Sequence, residues 1–509
     1  MKKSIYHTLI SILSVLTICA CGKPENTDVM PAPDPEIPPE PEIPEEPAPV
    51  ETNLDFPYVI SDGMVLQQKS SVNIFGTHDP GVKIQVSTSW SNDVYDCVTD
   101  DSGHWIVAVK TGDASNDPQK ITVMDNLGGR KEISDVLIGE VWLCGGQSNM
   151  EHPMKGFGFG TDNAEPVAGY SSLIEDSEYP SLRYFRVPKN ISKVPLHNSL
   201  EAVWRKATRK DTPNWSAIGF LFGRELHRKL GIPVGIICNA YGGTRIEGWM
   251  PESLVETLNS STILGPDKLT GGEDSPSAPS NSYNAMMHPV IGYGFRGMLW
   301  MQGESNCDGL AWAYAGHFRD LVKEWRDIAE REFPIYYVQL APWKSSWEDS
   351  PTVRYCQFRG WEALIPNCGI VGAADAGSEK TIHFAQKELV AHRLFLWAMS
   401  REYGDMSVNP MGPHYASHKA DGNKLIVTLN NSEGLHYAEG ITNAPYAEIA
   451  GDDGKWNEAQ VEIREDGSLV FSSPEVPSPK NARYCYSNWH KGTIYNGADL
   501  PLFPFATKR

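Results

Sequence analysis

"VLIGEVWLCGGQSNM", residues 136–150, is the stretch that decides the fold. Val136, Leu137, Ile138, Val141, Trp142 and Leu143 form a strand-favouring run that stops at Gly145-Gly146, and the next hydroxyl is Ser148. Glycine, serine and asparagine are turn residues, so a tight turn accounts for the pattern. A buried strand that ends by presenting a nucleophile accounts for it too, because glycines let the backbone approach a ligand closely. The rest of the chain decides between the two.

From 135 to about 404 the pattern repeats as strand, loop, amphipathic helix, strand. "FLFGRELHRKLG" (220–231) reads as a helix feeding the strand "IPVGIICNAYGGT" (232–244). "GFRGMLWMQGESN" (294–306) is a strand, followed by a helix in "YAGHFRDLVKEWRDIAERE" (314–332) with Phe318, Leu321, Val322, Trp325 and Ile328 on one face. "FPIYYVQLAPW" and "CGIVGAADAG" are strands, and "FAQKELVAHRLFLWAMSREYG" is a helix stopped by Gly404. Repeated β-loop-α units imply an α/β fold, a parallel sheet flanked by helices on both faces. Residues 54–134 alternate short apolar stretches with turn signals and read as a small antiparallel sandwich; 405–509 return to short strands and form a second β domain.

Before residue 54 the chain is of another kind. "MKKSIYHTLISILSVLTICAC" has a basic start, a short apolar run and small residues before a cysteine, the pattern of a signal peptide. Ile18-Cys19-Ala20-Cys21 resembles a bacterial lipobox, which makes Cys21 the lipidated first residue of an exported cell-envelope protein. Residues 22–53 are rich in Pro and Glu and form an extended, self-repelling spacer. The formal charge of −20 over 509 residues argues against nucleic acid and anionic membrane surfaces as partners; the membrane is reached only through the anchor. Seven cysteines remain after Cys19 and Cys21, an odd number without CxxC or Cys/His clustering, so no structural metal site is expected.

Ligands of open parallel sheets bind at the carboxyl ends of the strands. Four motifs fall there: "GGQSNM" (145–150), "NAYGGTRIEGW" (239–249), "QGESN" (302–306) and "DAGSEKTIH" (375–383). A serine hydrolase explains why a serine, glycines, a glutamate and a histidine share one edge. Ser148 needs a base, which His383 supplies, and a carboxylate must orient the imidazole. The amides of Ser148 and Gly243 are natural oxyanion donors. No metal or organic cofactor is required.

These motifs, in this order, resemble the sialate O-acetylesterase family of the SGNH/GDSL hydrolase superfamily. "ISDGMVLQQ" and "IFGTHDPGVKIQV" resemble its N-terminal β domain, and "ARYCYSNWHKGTIYNGADLPLFPFAT" resembles its closing segment. The resemblance implies Ser148 as nucleophile, His383 as base and Gly243 in the oxyanion hole, with Gln302 where relatives carry an Asn donor. Gln147, Asn149 and Arg245 are then candidate substrate-binding side chains. Met301 and Phe384 depart from the Tyr and Pro of the family pattern. The positions three and two before His383, where relatives place the acid, hold Lys380 and Thr381. Glu304 is therefore the expected triad acid and Asp375 the alternative. The implied activity is hydrolysis of acetyl esters on sugars, O-acetylated sialic acids first and acetylxylan or another polysaccharide second. A carbohydrate-binding lipoprotein with a dead esterase domain is the reading from a different class.

Overall fold

The computed structural model describes residues 52–158, 165–260, 272, 274–344, 349–407 and 409–508. The leader and lipobox expected at 1–21, and the spacer up to residue 51, lie outside the described residues.

Strand β1, Arg130–Gly146, is the axis of the molecule. Its first half alternates exposed and buried residues and pairs antiparallel with Ser115–Asp125; its second half, the quoted run, is buried on both faces. That change is what a strand shows on passing from an antiparallel sheet with one wet face to the middle of a parallel one. The division expected at 134/135 falls inside this strand. The parallel sheet is built from β1, β2 (Tyr179–Arg186), β3 (Arg205–Ala207), β4 (Val234–Ala240), β5 (Gly297–Met301), β6 (Ile335–Val338) and β7 (Cys368–Val371), in the order β7-β6-β5-β1-β4-β2-β3, with β3 antiparallel at the edge.

Four helices matter for the site: α1 (Ser148–Glu151), α2 (Ala217–Leu230), α3 (Tyr314–Ile328) and α4 (Lys387–Glu402). Helices cover both faces of the sheet. On one face Trp142 meets Phe222 of α2 edge-on at 5.1 Å, and Tyr336 stacks on Trp397 of α4 at 5.9 Å. On the other face Trp300 packs on Trp325 of α3 at 5.2 Å and Tyr337 on Phe318 at 5.0 Å. Adjacent Tyr336 and Tyr337 thus serve opposite layers, as the pleat requires. Phe318, Leu321, Val322 and Trp325 are buried as their spacing predicts, whereas Ile328 is exposed; it closes the last turn of α3, past the residues that pack on the sheet. Helix α2 starts three residues before the "FLFGRELHRKLG" pattern, because the Ser216 side chain caps it by accepting from the Gly219 N–H, and it ends at Gly231 with φ +70°.

At the N-terminal side, Ser71–Thr77 pairs with His104–Lys110, and Lys83–Thr88 lies between Val94–Val98 and Ser115–Asp125. Their inward residues, Val72, Ile74, Val86, Val107 and Val123 among them, join the main apolar core. The C-terminal segment forms two four-stranded antiparallel sheets around a second core that includes Leu425, Ile449, Phe471 and Tyr484. Among the described residues no disulfide joins the seven cysteines from Cys97 to Cys485.

The register positions the chemistry. Gly146 of β1 pairs with Ala240 of β4 on one side and with Met301 of β5 on the other. Three strands therefore end level, and the loops after them open at one place.

Candidate active site

The glycines after β1 are there for space. A side chain on Gly145 would strike Trp300, and one on Gly146, whose φ is +137°, would strike the carbonyl of Met301. The close approach lets the Gln147 N–H donate to Met301 O at 3.0 Å, and Ser148 follows as the first residue of α1. The loop after β4 folds against it. Tyr241 N–H donates to Gly146 O at 3.1 Å, and Gly242 N–H donates to the Glu151 carboxylate at 2.9 Å. Arg186 and Lys189 hold the other oxygen of Glu151 at 2.9 and 2.8 Å. Gly242 lies against Ser148, while Gly243, with φ +79°, faces open space. Among the described residues, the N–H groups of Ser148 and Gly243 donate to no protein acceptor.

Ser148, Gly243, His383 and Glu304 line one cleft of about 740 Å³, together with Gln147, Glu151, Arg245 and Asp308. The structure thus brings the two expected reacting groups to one place. They are not hydrogen-bonded to each other, since both ring nitrogens of His383 are buried without a partner. Phe157 meets the ring edge-on at 4.9 Å. Burial, reinforced by the Lys387 charge, pulls the imidazole down to about 4, so it is neutral and able to accept a proton at pH 7. His152, whose ring lies 6.0 Å from that of His383, is fully buried with both nitrogens unpartnered, and burial pushes it down to about 2.

The two candidate acids part company. Asp375 does not reach the cleft: both of its oxygens are held by Arg393 of α4 at 2.8 Å, and Tyr495 of the C-terminal domain donates to one of them at 3.3 Å. It joins β7, α4 and the C-terminal domain, so the alternative acid is corrected to a tie between layers. Glu304 follows Gly303 (φ +142°) and does line the cleft. Its Oε1 accepts from Asn149 Nδ2 at 2.6 Å rather than from the imidazole, and its Oε2 is buried without a partner. Burial raises its pKa, against the Asn149 hydrogen bond and the Lys387 charge.

The four remaining candidates are all engaged by the protein itself. Gln302 is not at the cleft; its Nε2 donates inward to Gln147 Oε1 (3.1 Å), Thr244 O (3.1 Å) and Asn306 Oδ1 (2.8 Å), so no hydrogen is left for an oxyanion. It braces the β5 turn instead. Asn149 is also turned inward, donating to Glu304 and to Ile382 O and accepting from Lys387, and has nothing to offer a substrate. Gln147 lines the cleft, but its Oε1 accepts the Gly303 N–H at 3.1 Å and its Nε2 donates to Ser305 Oγ at 3.3 Å. Arg245 lines the cleft while ion-paired to Asp308 at 2.6 Å and Glu247 at 3.3 Å. Sequence reasoning missed Glu151, which fixes the glycine loop, and Lys387, which is fully buried at the start of α4. Lys387 carries no local signal, since a lysine in the first turn of an amphipathic helix reads as solvated.

Fold and site together define a carboxylic ester hydrolase. The family model for carbohydrate esterase, sialic acid-specific acetylesterase, matches residues 138–394, and the chain belongs to that family. The human sialate O-acetylesterase is 28% identical over 394 residues, covering 70% of this chain and 73% of its own length. The Mus musculus protein of the same name is 27% identical over 416 residues, covering 70% and 75%. A solved carbohydrate acetylesterase from Xanthomonas citri superimposes with a TM-score of 0.78 at 28% identity, over 89% of this chain and 99% of that one. The chain is accordingly a carbohydrate O-acetylesterase.

Proposed function

We propose that the chain removes O-acetyl groups from sialic acids by a serine esterase mechanism. The observation that carries the mechanism is the meeting of Ser148, His383 and the unoccupied Gly243 amide in one cleft. Ser148 Oγ attacks the acetyl carbonyl carbon while His383 accepts its proton, and the N–H groups of Ser148 and Gly243 receive the oxyanion. The ester C–O bond then breaks, His383 returns the proton to the departing sugar hydroxyl, and water attacks the acetyl-serine by the same route to release acetate. Glu304 is the carboxylate that serves the imidazolium: its free Oε2 belongs to the same cleft as the unpartnered ring nitrogens. Catalytic hydrogen bonds are commonly long before substrate arrives and tighten in the complex.

Sialic acid as substrate is supported by the matching family model and by the mammalian relatives. One observation favours a neutral acetylated polysaccharide such as acetylxylan as a second reading: the Arg245 charge in the cleft is committed to Asp308 and Glu247. Acetate release measured side by side from O-acetylated sialoglycans and acetylxylan separates them; faster release from acetylxylan overturns the sialate reading. A dead carbohydrate-binding module is excluded by turnover of any chromogenic acetyl ester. We further propose, from the lipobox-like run and the spacer, that Cys21 anchors the protein in a cell envelope. Cys21→Ser should then leave the detergent phase for the aqueous one, and an unchanged partition refutes anchoring.

A further inference from the structure

Asn149, Glu304 and Lys387 are far apart in sequence and meet beside His383. Lys387 has no solvent exposure; its Nζ donates to Asn149 Oδ1 at 2.5 Å and lies 3.7 Å from the centre of the Phe384 ring. Asn149 Nδ2 donates to Glu304 Oε1 at 2.6 Å and to the carbonyl of Ile382, the neighbour of His383, at 3.1 Å. Every polar atom of the Asn149 side chain is thereby used, and it fixes both the glutamate and the histidine loop. A lysine withdrawn from water is tolerated when an anion compensates it. Glu304 lies one amide away. An apolar side chain of similar length would fill the same space without that desolvation.

We propose that Lys387 is a positioning residue for the esterase reaction: acting through Asn149, it keeps Glu304 charged and anchored by Oε1, so that Oε2 is left for His383. The inference rests on the Ser148–His383 reading and extends it to a cation that touches no substrate. Burial draws Lys387 down to about 7 while Glu304 opposes the shift. The other titratable groups that face this cluster are His383 and His152, which feel the Lys387 charge, Tyr314, which feels Glu304, and Glu151 on the side of His383. Loss of the cation makes Glu304, and with it His383, easier to protonate, so activity is lost at a higher pH on acidification.

The test measures kcat, KM, the pH profile of kcat/KM on a chromogenic acetate and a melting curve. It compares the full chain, Lys387→Met, Lys387→Gln, Glu304→Gln and the Glu304→Gln/Lys387→Met double variant. Glutamine retains an N–H donor for Asn149 and carries the test if the methionine variant does not fold. Removing the charge is expected to lower kcat by about tenfold or more, the rate equivalent of one pK unit, with KM nearly unchanged and the acid limb moved to higher pH. In the Glu304→Gln background the same change should add less than about threefold, because the two act as one unit. Equal losses in both backgrounds, or a lower melting temperature with unchanged kcat and acid limb, overturn the proposal. Activity that survives Ser148→Ala would instead overturn the mechanism on which it rests, so the two failures are distinct.

Discussion

Two glycines bordering the nucleophile should respond to the same methyl group for different reasons, one chiefly in stability and the other chiefly in turnover. In Gly146→Ala the new Cβ would lie 2.7 Å from the Met301 carbonyl carbon and closer still to its oxygen, at φ +137°. That carbonyl cannot step aside freely, since it accepts the Gln147 N–H at 3.0 Å. Overpacking costs ~1–3 kcal/mol and a backbone conformation foreign to L side chains another ~1–3, together roughly 2–6 kcal/mol. For a chain of this size that corresponds to a melting temperature lower by roughly 2–6 °C, with activity falling as Ser148 is displaced. In Gly243→Ala the Cβ meets nothing within 4 Å and φ is +79°. The cost is the left-handed conformation, about 1–2 kcal/mol, while the methyl enters the cleft where the acetyl oxygen must sit. The melting temperature should fall by only about 1–2 °C, and kcat/KM should fall by about tenfold or more, as expected when an oxyanion donor is obstructed. Melting curves and hydrolysis of a chromogenic acetate decide. Wild-type melting of Gly146→Ala, or full activity of Gly243→Ala, would refute the reasoning.

Asp375→Asn strands the buried Arg393 guanidinium and should cost ~3–5 kcal/mol of stability while the specific activity of the folded protein stays near wild type; a collapse of kcat without a stability loss would return Asp375 to the catalytic site. Burial holds the His152 imidazole at about 2 in the folded protein, well below the ordinary histidine value of 6.5. Its depressed pKa contributes stability that is present above pH 6.5 and lost as pH falls toward 2, by up to ~1.4 kcal/mol per unit. His152→Phe should therefore melt with a smaller drop between pH 7 and pH 5 than the parent, and an identical drop would show that His152 does not carry the acid sensitivity. The cleft is edged by charged groups, among them Glu151, Lys189, Arg245 and Asp308, so kcat/KM should fall steeply from acetyl to octanoyl esters; a rise with chain length contradicts the acetyl-sized site.

The run 136–146 announced a buried strand because a stretch apolar on both faces has one comfortable place, the middle of a parallel sheet. The level ending of β1, β4 and β5 follows from three such runs, each closed by glycine or a polar turn, and with it the convergence of Ser148, Gly243 and Glu304. Side-chain direction at that edge was not legible. Gln302 reads as a cleft donor by its place in "QGES", yet Gln147, Thr244 and Asn306 draw its amide inward. The bonds from Asn149 to Glu304 and to Lys387 span 155 and 238 residues; no local pattern records them, because they depend on how helix α4 is laid against the sheet. Asp375 sits among motif residues, and its commitment to Arg393, eighteen residues further on, follows from how α4 is laid down.

The central claim is that Ser148 forms the acetyl-enzyme, and the hydrolysis rate of a chromogenic acetate by Ser148→Ala tests it most directly. Ser148 lines the cleft and its side chain makes no hydrogen bond to the protein among the described residues, so alanine should leave the melting temperature unchanged. Removing a triad nucleophile is expected to lower kcat by on the order of 10⁴-fold or more, to the background of oxyanion hole and binding alone. A Ser148→Ala protein that melts like the parent and still hydrolyses acetate within about tenfold of its rate would contradict the account.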